Sequence, residues 1–133
     1  AFYEALEGAE GPVCVTHGNC YAECPHTRNA TDDMLRALAQ RGGVLGICLF
    51  RRFIDTEHPS VERLADHFLH ALDVMGEEHV GFGSDFDGLP LHETPMLADA
   101  AAVPALWREL EGRGLGPELL RKISRDNFLR LLG

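Results

Sequence analysis

The 133-residue sequence predicts an α/β fold, a parallel sheet of three strands with flanking helices. Three observations predict it. Short apolar runs recur at Pro12–Thr16, Val44–Phe50 and His79–Gly83, each too short for a helix. A loop follows each run, and then a segment whose apolar residues fall at helical spacing. The resulting order, β-loop-α three times with one extra helix, is that of parallel strands joined by right-handed crossovers. Three strands are too few to close a barrel, which takes eight strands and about 250 residues. If the parent fold is a barrel, these residues are its last third to half.

Residues 1–9 read as the end of a helix, with Phe2 and Leu6 on one face and a stop near Gly8 and Gly11. Pro12–Thr16 is a β-branched strand ending at His17-Gly18-Asn19, followed by a loop over residues 18–30. Thr31 or Asp32 caps a helix carrying Met34, Leu35, Leu38 and Ala39, which stops at Arg41-Gly42-Gly43. Val44–Phe50 is apolar on both faces, as parallel strands covered on both sides are. Residues 51–59 read as a loop, and Ser60 caps a helix with Val61, Leu64, Phe68, Leu69, Leu72 and Met75 inside and Gly76 at its end. The third strand, His79–Gly83, leads into Ser84-Asp85-Phe86-Asp87-Gly88. A long loop spans residues 88–98, a helix spans Pro104–Leu110, and Gly112–Gly116 breaks it. Pro117 suits the first turn of the last helix, which carries Leu119, Leu120, Ile123, Phe128, Leu129 and Leu132.

Composition narrows the function classes. With 45% hydrophobic and 25% charged residues the chain is an ordinary globular domain. A net charge of −9 lacks the basic stripe of a nucleic-acid binder. No apolar run approaches the roughly 20 residues of a transmembrane helix. Ala1–Leu6 has neither the basic nor the apolar region of a signal peptide, and it begins partway into a helix, as a fragment would. Of the four cysteines, Cys14 and Cys48 lie in apolar runs, where a free thiol behaves as a small hydrophobe. Free thiols favour a reducing compartment, the cytoplasm.

In a parallel sheet the strand ends lie along one edge, so His17 and Asp85 would face one site. Imidazole and carboxylate suit zinc and similar ions, and they suit general acid–base catalysis. Taken singly, a histidine or aspartate after a strand is more often a loop or capping residue. Arg28, late in the first loop, could hold a substrate carboxylate through two parallel hydrogen bonds, or be a surface arginine. Cys14, His17, Cys20, Cys24 and His26 fall within 13 residues and suggest a structural zinc knot, although their spacing is not a paired C-x₂-C arrangement. His58, His67, His70 and His79 read as solvated or partly buried, Arg51 and Arg52 as exposed loop charges, and Asp87 as a turn-former.

Pro12–Cys20, the run Cys24–Asp32, the strand entry Arg41–Ile47, Val80–Gly88 and Ser124–Arg130 together resemble, in order, segments of the membrane (renal) dipeptidase family. The resemblance covers almost the whole chain. It implies a (β/α)8 barrel with two bridged zinc ions at its mouth and a dipeptide as substrate. It implies that His17 is a zinc ligand and that Arg28 binds the substrate carboxylate. Asp85 would hydrogen-bond the metal-bound water or the tetrahedral intermediate. The family's other ligands, an N-terminal His-x-Asp, a bridging Glu and a further His, have no counterpart here. Gly18 stands where Ser is common, and Arg51-Arg52 is unusual at the mouth of the second strand.

One histidine cannot hold a bimetallic centre. The expectation is therefore a single partial domain over residues 1–133, the C-terminal portion of a zinc dipeptidase, inactive alone and lacking its N-terminal half or paired in a homo-oligomer. The alternative is a truncated, non-catalytic barrel domain that associates with another chain. A mononuclear metal-binding or other barrel hydrolase sharing only fold-level features ranks well below the first.

Overall fold

The computed structural model describes residues 1–90 and 93–133. Helix α1 (Phe2–Gly8) precedes β1 (Cys14–Gly18). Helix α2 (Asp32–Gln40) follows, with the Thr31 hydroxyl accepting from the Met34 N–H as its cap. Next come β2 (Val44–Cys48), a short α3 (Arg51–Ile54) and α4 (Val61–Met75), which Ser60 caps through the Arg63 N–H. Strand β3 (Val80–Ser84) completes the sheet. A 3₁₀ turn at Ala100–Ala102 opens α5 (Val103–Gly112). The last helix runs as α6 (Pro117–Arg121), a π turn (Lys122–Asp126) and α7 (Asn127–Leu131).

The sheet is parallel, in the order β1-β2-β3. Every residue of β2 is buried, as a central strand covered on both sides requires. Leu45, Ile47 and Leu49 point into the main core with Val80, against Leu35 and Leu38 of α2 and Leu64 and Phe68 of α4. Leu106 and Leu110 of α5 and Ile123 of the last helix close that core. This is the convex, helix-covered face. Alternation sends Val44, Gly46 and Cys48 to the other, concave face. There a methyl group built on Gly46 or Gly81 would run into the Phe128 ring. Phe128 of α7 thus folds beneath the sheet, onto two glycines that are partners across β2 and β3.

Several expectations need correction. Residues 51–54 are helical, not loop, because the chain tightens after β2 and the Asp55 N–H donates back to the Arg51 carbonyl at 3.0 Å. Cys14 is exposed on the sheet edge and does not act as a core hydrophobe. His67 is fully buried, with both ring nitrogens hydrogen-bonded. The last helix is interrupted by the π turn. The expected loop over residues 88–98 includes positions 91 and 92, which lie outside the described residues; Pro95, farther along it, bridges Phe50.

Candidate active site at the strand ends

Two register slips shape the C-terminal edge of the sheet. In β1, Val15 pairs with Leu45 but Gly18 pairs with Ile47, three residues against two. In β3, Phe82 pairs with Ile47 but Ser84 pairs with Cys48, two residues against one. Each slip is a β-bulge, which re-aims the side chains that follow. Val13 and Val15 pack on the helix-covered core, and strict alternation would send His17 after them. The bulge releases it, and His17 is exposed. It is the penultimate residue of β1 and does not follow the strand. Its Nδ1 hydrogen-bonds the Thr16 hydroxyl at 2.8 Å, leaving Nε2 without a protein partner among the described residues.

The sheet also curls. A methyl group built on Gly83 would collide with the backbones of Thr16 and Gly46, and one on Gly46 with Thr16 and the Gly83 Cα. Thus β1 and β3 approach each other over the middle of β2, where only glycine leaves room. Thr16 immediately precedes His17, and Gly83 stands two residues before Asp85. The curl draws these two strand ends together.

Asp85 follows β3 directly. It and Ser84 both take left-handed backbone, with φ of 68° and 51°, a region that L residues adopt at a cost. The Asp85 carboxylate is partly buried, and its Oδ2 accepts from the Cys48 thiol at 3.8 Å. The Cys48 thiol is pushed up to about 11, first by burial and also by the neighbouring Asp85 carboxylate. It therefore stays protonated and remains a donor.

Arg28 rides on the loop between β1 and α2, and it is exposed. Its guanidinium lies 6.0 Å from the centre of the Phe53 ring, within cation–π range. Phe53 also packs against His26 at 4.8 Å and Phe50 at 4.7 Å, so α3 gives the loop an aromatic wall. The loop is held from below. The Cys20 N–H donates to His67 Nδ1 at 3.0 Å, so the ring proton resides on Nε2, which donates to the Ile54 carbonyl at 2.9 Å. Burial lowers the His67 pKa below its ordinary 6.5, in keeping with a neutral ring. Asn29, also buried, donates to the Cys24 and Phe53 carbonyls. Arg63 reaches from α4 to Glu23 and Asp55, which pins both ends of the wall.

The fold therefore brings His17 and Asp85 to one edge, while Arg28 lies on the loop between β1 and α2, against Phe53. No hydrogen bond joins any two of the three among the described residues. Sequence reasoning missed Cys48, Phe53 and His67. Alternation within Val44–Cys48 was a usable signal for the first, and helical spacing from Leu64 to Ala71 for the last.

The zinc knot is ruled out by packing. The Cys20 thiol donates to the His67 carbonyl, the Cys24 thiol to the Arg52 carbonyl, and Cys14 stands apart on the edge. Among the described residues no group of three His, Cys, Asp or Glu side chains could hold a metal ion. A single exposed imidazole at His17 does not fit a bimetallic centre by itself.

Comparison with known proteins decides the family. The membrane dipeptidase family, peptidase family M19, matches residues 1–133. The chain belongs to the membrane dipeptidase family. Among curated relatives, the dipeptidase verJ of Clonostachys rogersoniana is 39% identical over 124 residues, covering 93% of this chain and 32% of that protein. Among solved structures, a metallo peptidase of Rhodobacter sphaeroides, liganded with a phosphinate mimic of the dipeptide L-Ala-D-Ala, superimposes with a TM-score of 0.89 at 33% identity. That match covers 98% of this chain and 38% of the other. The metallo peptidase called dipeptidase AC superimposes with a TM-score of 0.88 at 33% identity, over 98% of this chain and 40% of the other. The chain spans half or less of the length of the curated relatives it matches. No helix among the described residues is long and apolar enough to cross a membrane.

Proposed function

We propose that the complete protein is a zinc-dependent dipeptidase, and that residues 1–133 are a single partial domain, the C-terminal portion of its (β/α)8 barrel. The observation that carries this reading is the placement of His17, Arg28 and Asp85. Each lies in a segment resembling the family's; His17 and Asp85 stand at the C-terminal edge of a parallel sheet, where such folds put their chemistry, and Arg28 lies on the loop that leaves β1 at that end. Membership of the family and its metallopeptidase neighbours support the reaction class.

Each residue has a role that its position allows. Arg28, exposed and backed by Phe53, receives the dipeptide's terminal carboxylate on two parallel N–H groups. His17 offers Nε2 as one metal ligand. Asp85 holds the attacking water by a carboxylate oxygen, and takes and returns its proton. Zinc, when bound, supplies Lewis acidity. One imidazole does not complete that centre, so the other ligands belong to parts of the protein outside these residues, and the isolated segment turns over no substrate. Buried thiols that act as hydrogen-bond donors, at Cys20 and Cys24, support a reducing compartment, the cytoplasm. The exposed concave side of β1, at Cys14 and Thr16, favours cover by the remainder of the chain, and a second copy is the alternative occupant.

The test is hydrolysis of a panel of unblocked dipeptides by the complete protein. Activity should vanish after dialysis against a chelator and return with zinc. Hydrolysis that survives verified removal of metal would overturn the reading.

A further inference from the structure

We propose that Cys48 is a positioning residue for Asp85, aiming its carboxylate by a thiol hydrogen bond from the rim of the concave face. This rests on the role of Asp85 proposed above. Asp85 has left the strand, and with Ser84 it sits in left-handed backbone, so the ladder of β3 does not set the direction of its side chain. Among the described residues the Cys48 thiol, at 3.8 Å from Oδ2, is the one side-chain group hydrogen-bonded to that carboxylate. Among the described residues no arginine, lysine or histidine is paired with it.

The thiol is itself fixed. Cys48 is fully buried and pairs with Ser84 across the sheet. The Leu49 N–H donates to the Ser84 carbonyl at 2.8 Å, tying the two strand ends beside the thiol. The Phe50 N–H donates to Sγ at 3.4 Å, occupying the sulfur's acceptor side. The S–H is left to point at Asp85. From the other side, Asn19 Nδ2 donates to the Cys48 carbonyl at 3.1 Å. Asn19 stands two residues after His17 and is fully buried. The chain Asn19–Cys48–Asp85 therefore crosses all three strand ends and holds Asp85 in register with His17. A thiol is a weak donor, but an ionised acceptor strengthens the bond. Burial keeps the thiol protonated, as the donor role requires.

The experiment uses the complete protein. Cys48→Ala should lower kcat on a dipeptide by about tenfold, the effect of one lost hydrogen bond to a charged group, with KM little changed. Cys48→Ser, which keeps a donor, should recover most of that loss, and thermal melts should show all variants folded. An infrared difference spectrum, wild type minus Cys48→Ser, isolates the Cys48 S–H stretch. Asp85→Ala should move that band toward the frequency of a free thiol. Wild-type kcat in Cys48→Ala, a loss that serine does not restore, or a band indifferent to Asp85→Ala would each overturn the inference. Wild-type turnover in Asp85→Ala would remove the role of Asp85 itself and this inference with it. Loss of turnover there, with Cys48→Ala unaffected, would overturn the positioning role alone.

Discussion

The two faces of the sheet are built by different chemistry. The convex face is generic: Leu45, Ile47, Leu49 and Val80 bury apolar surface against Leu35, Leu64, Phe68 and Ile123, and similar side chains of equal volume would serve. The concave face is particular. Its middle is backbone on backbone at Thr16, Gly46 and Gly83, its floor is Phe128 on glycine, and its rim carries the hydrogen bonds of Asn19, Cys48 and Asp85. Apolar burial falls on one side of a strand and directional bonding on the other. Successive residues of β2 therefore answer to stability and to the site in turn.

That contrast can be broken from either side. The largest effect is expected on the concave face: Asp85→Asn in the complete protein should cut dipeptide turnover by about 10²–10⁴-fold, the worth of a general acid–base group. Its urea midpoint should stay near that of wild type. On the convex face the pattern should invert. Leu45→Ala removes a fully buried side chain and should cost about 2–5 kcal/mol in urea unfolding, while kcat of the protein that remains folded is nearly unchanged. A large kinetic defect in Leu45→Ala, or a large stability defect in Asp85→Asn, would show that the faces are not separable.

The smallest effect concerns His67, which joins the convex core to the loop carrying Arg28. Its folded pKa lies below the ordinary 6.5 because burial disfavours the charged ring. Below pH 6.5 the unfolded chain takes up a proton that the folded chain refuses. The stability it contributes is therefore complete above that pH and falls as pH drops, by at most about 1.4 kcal/mol per pH unit for one site. His67→Gln should flatten the dependence of the urea midpoint between pH 7 and pH 5. An identical slope in the variant would assign the acid sensitivity to other groups.

What could be read from the sequence divides along the same line. The convex face declared itself, since apolar runs and helical spacing located all three strands, the α2 cap at Thr31 or Asp32 (it is Thr31), the cap Ser60 and the stop at Gly76. His67 was legible too: it stands three residues after Leu64 and four before Ala71, on the buried stripe, and reading it as partly solvated weighs residue type over position. Asp85 was legible as the residue at a strand end. The bulges were not, because a one-residue slip exists only once a neighbouring strand supplies the register. Neither was the thiol bond, because Cys48 and Asp85 stand 37 positions apart and meet only through the pairing of β2 with β3 past the bulge.

The π turn at Lys122–Asp126 acts as a phase correction. An extra residue in one helical turn advances everything after it by about 100° around the axis. With that advance, Asn127 donates to the carbonyls of Glu77 and Val80, both at 2.8 Å, while Phe128 meets the sheet glycines. Deleting a single residue from that turn would leave composition, length and helical character almost untouched. It would nevertheless swing the amide and the ring together off the strand, so the segment's information lies in its count of residues as much as in their kind.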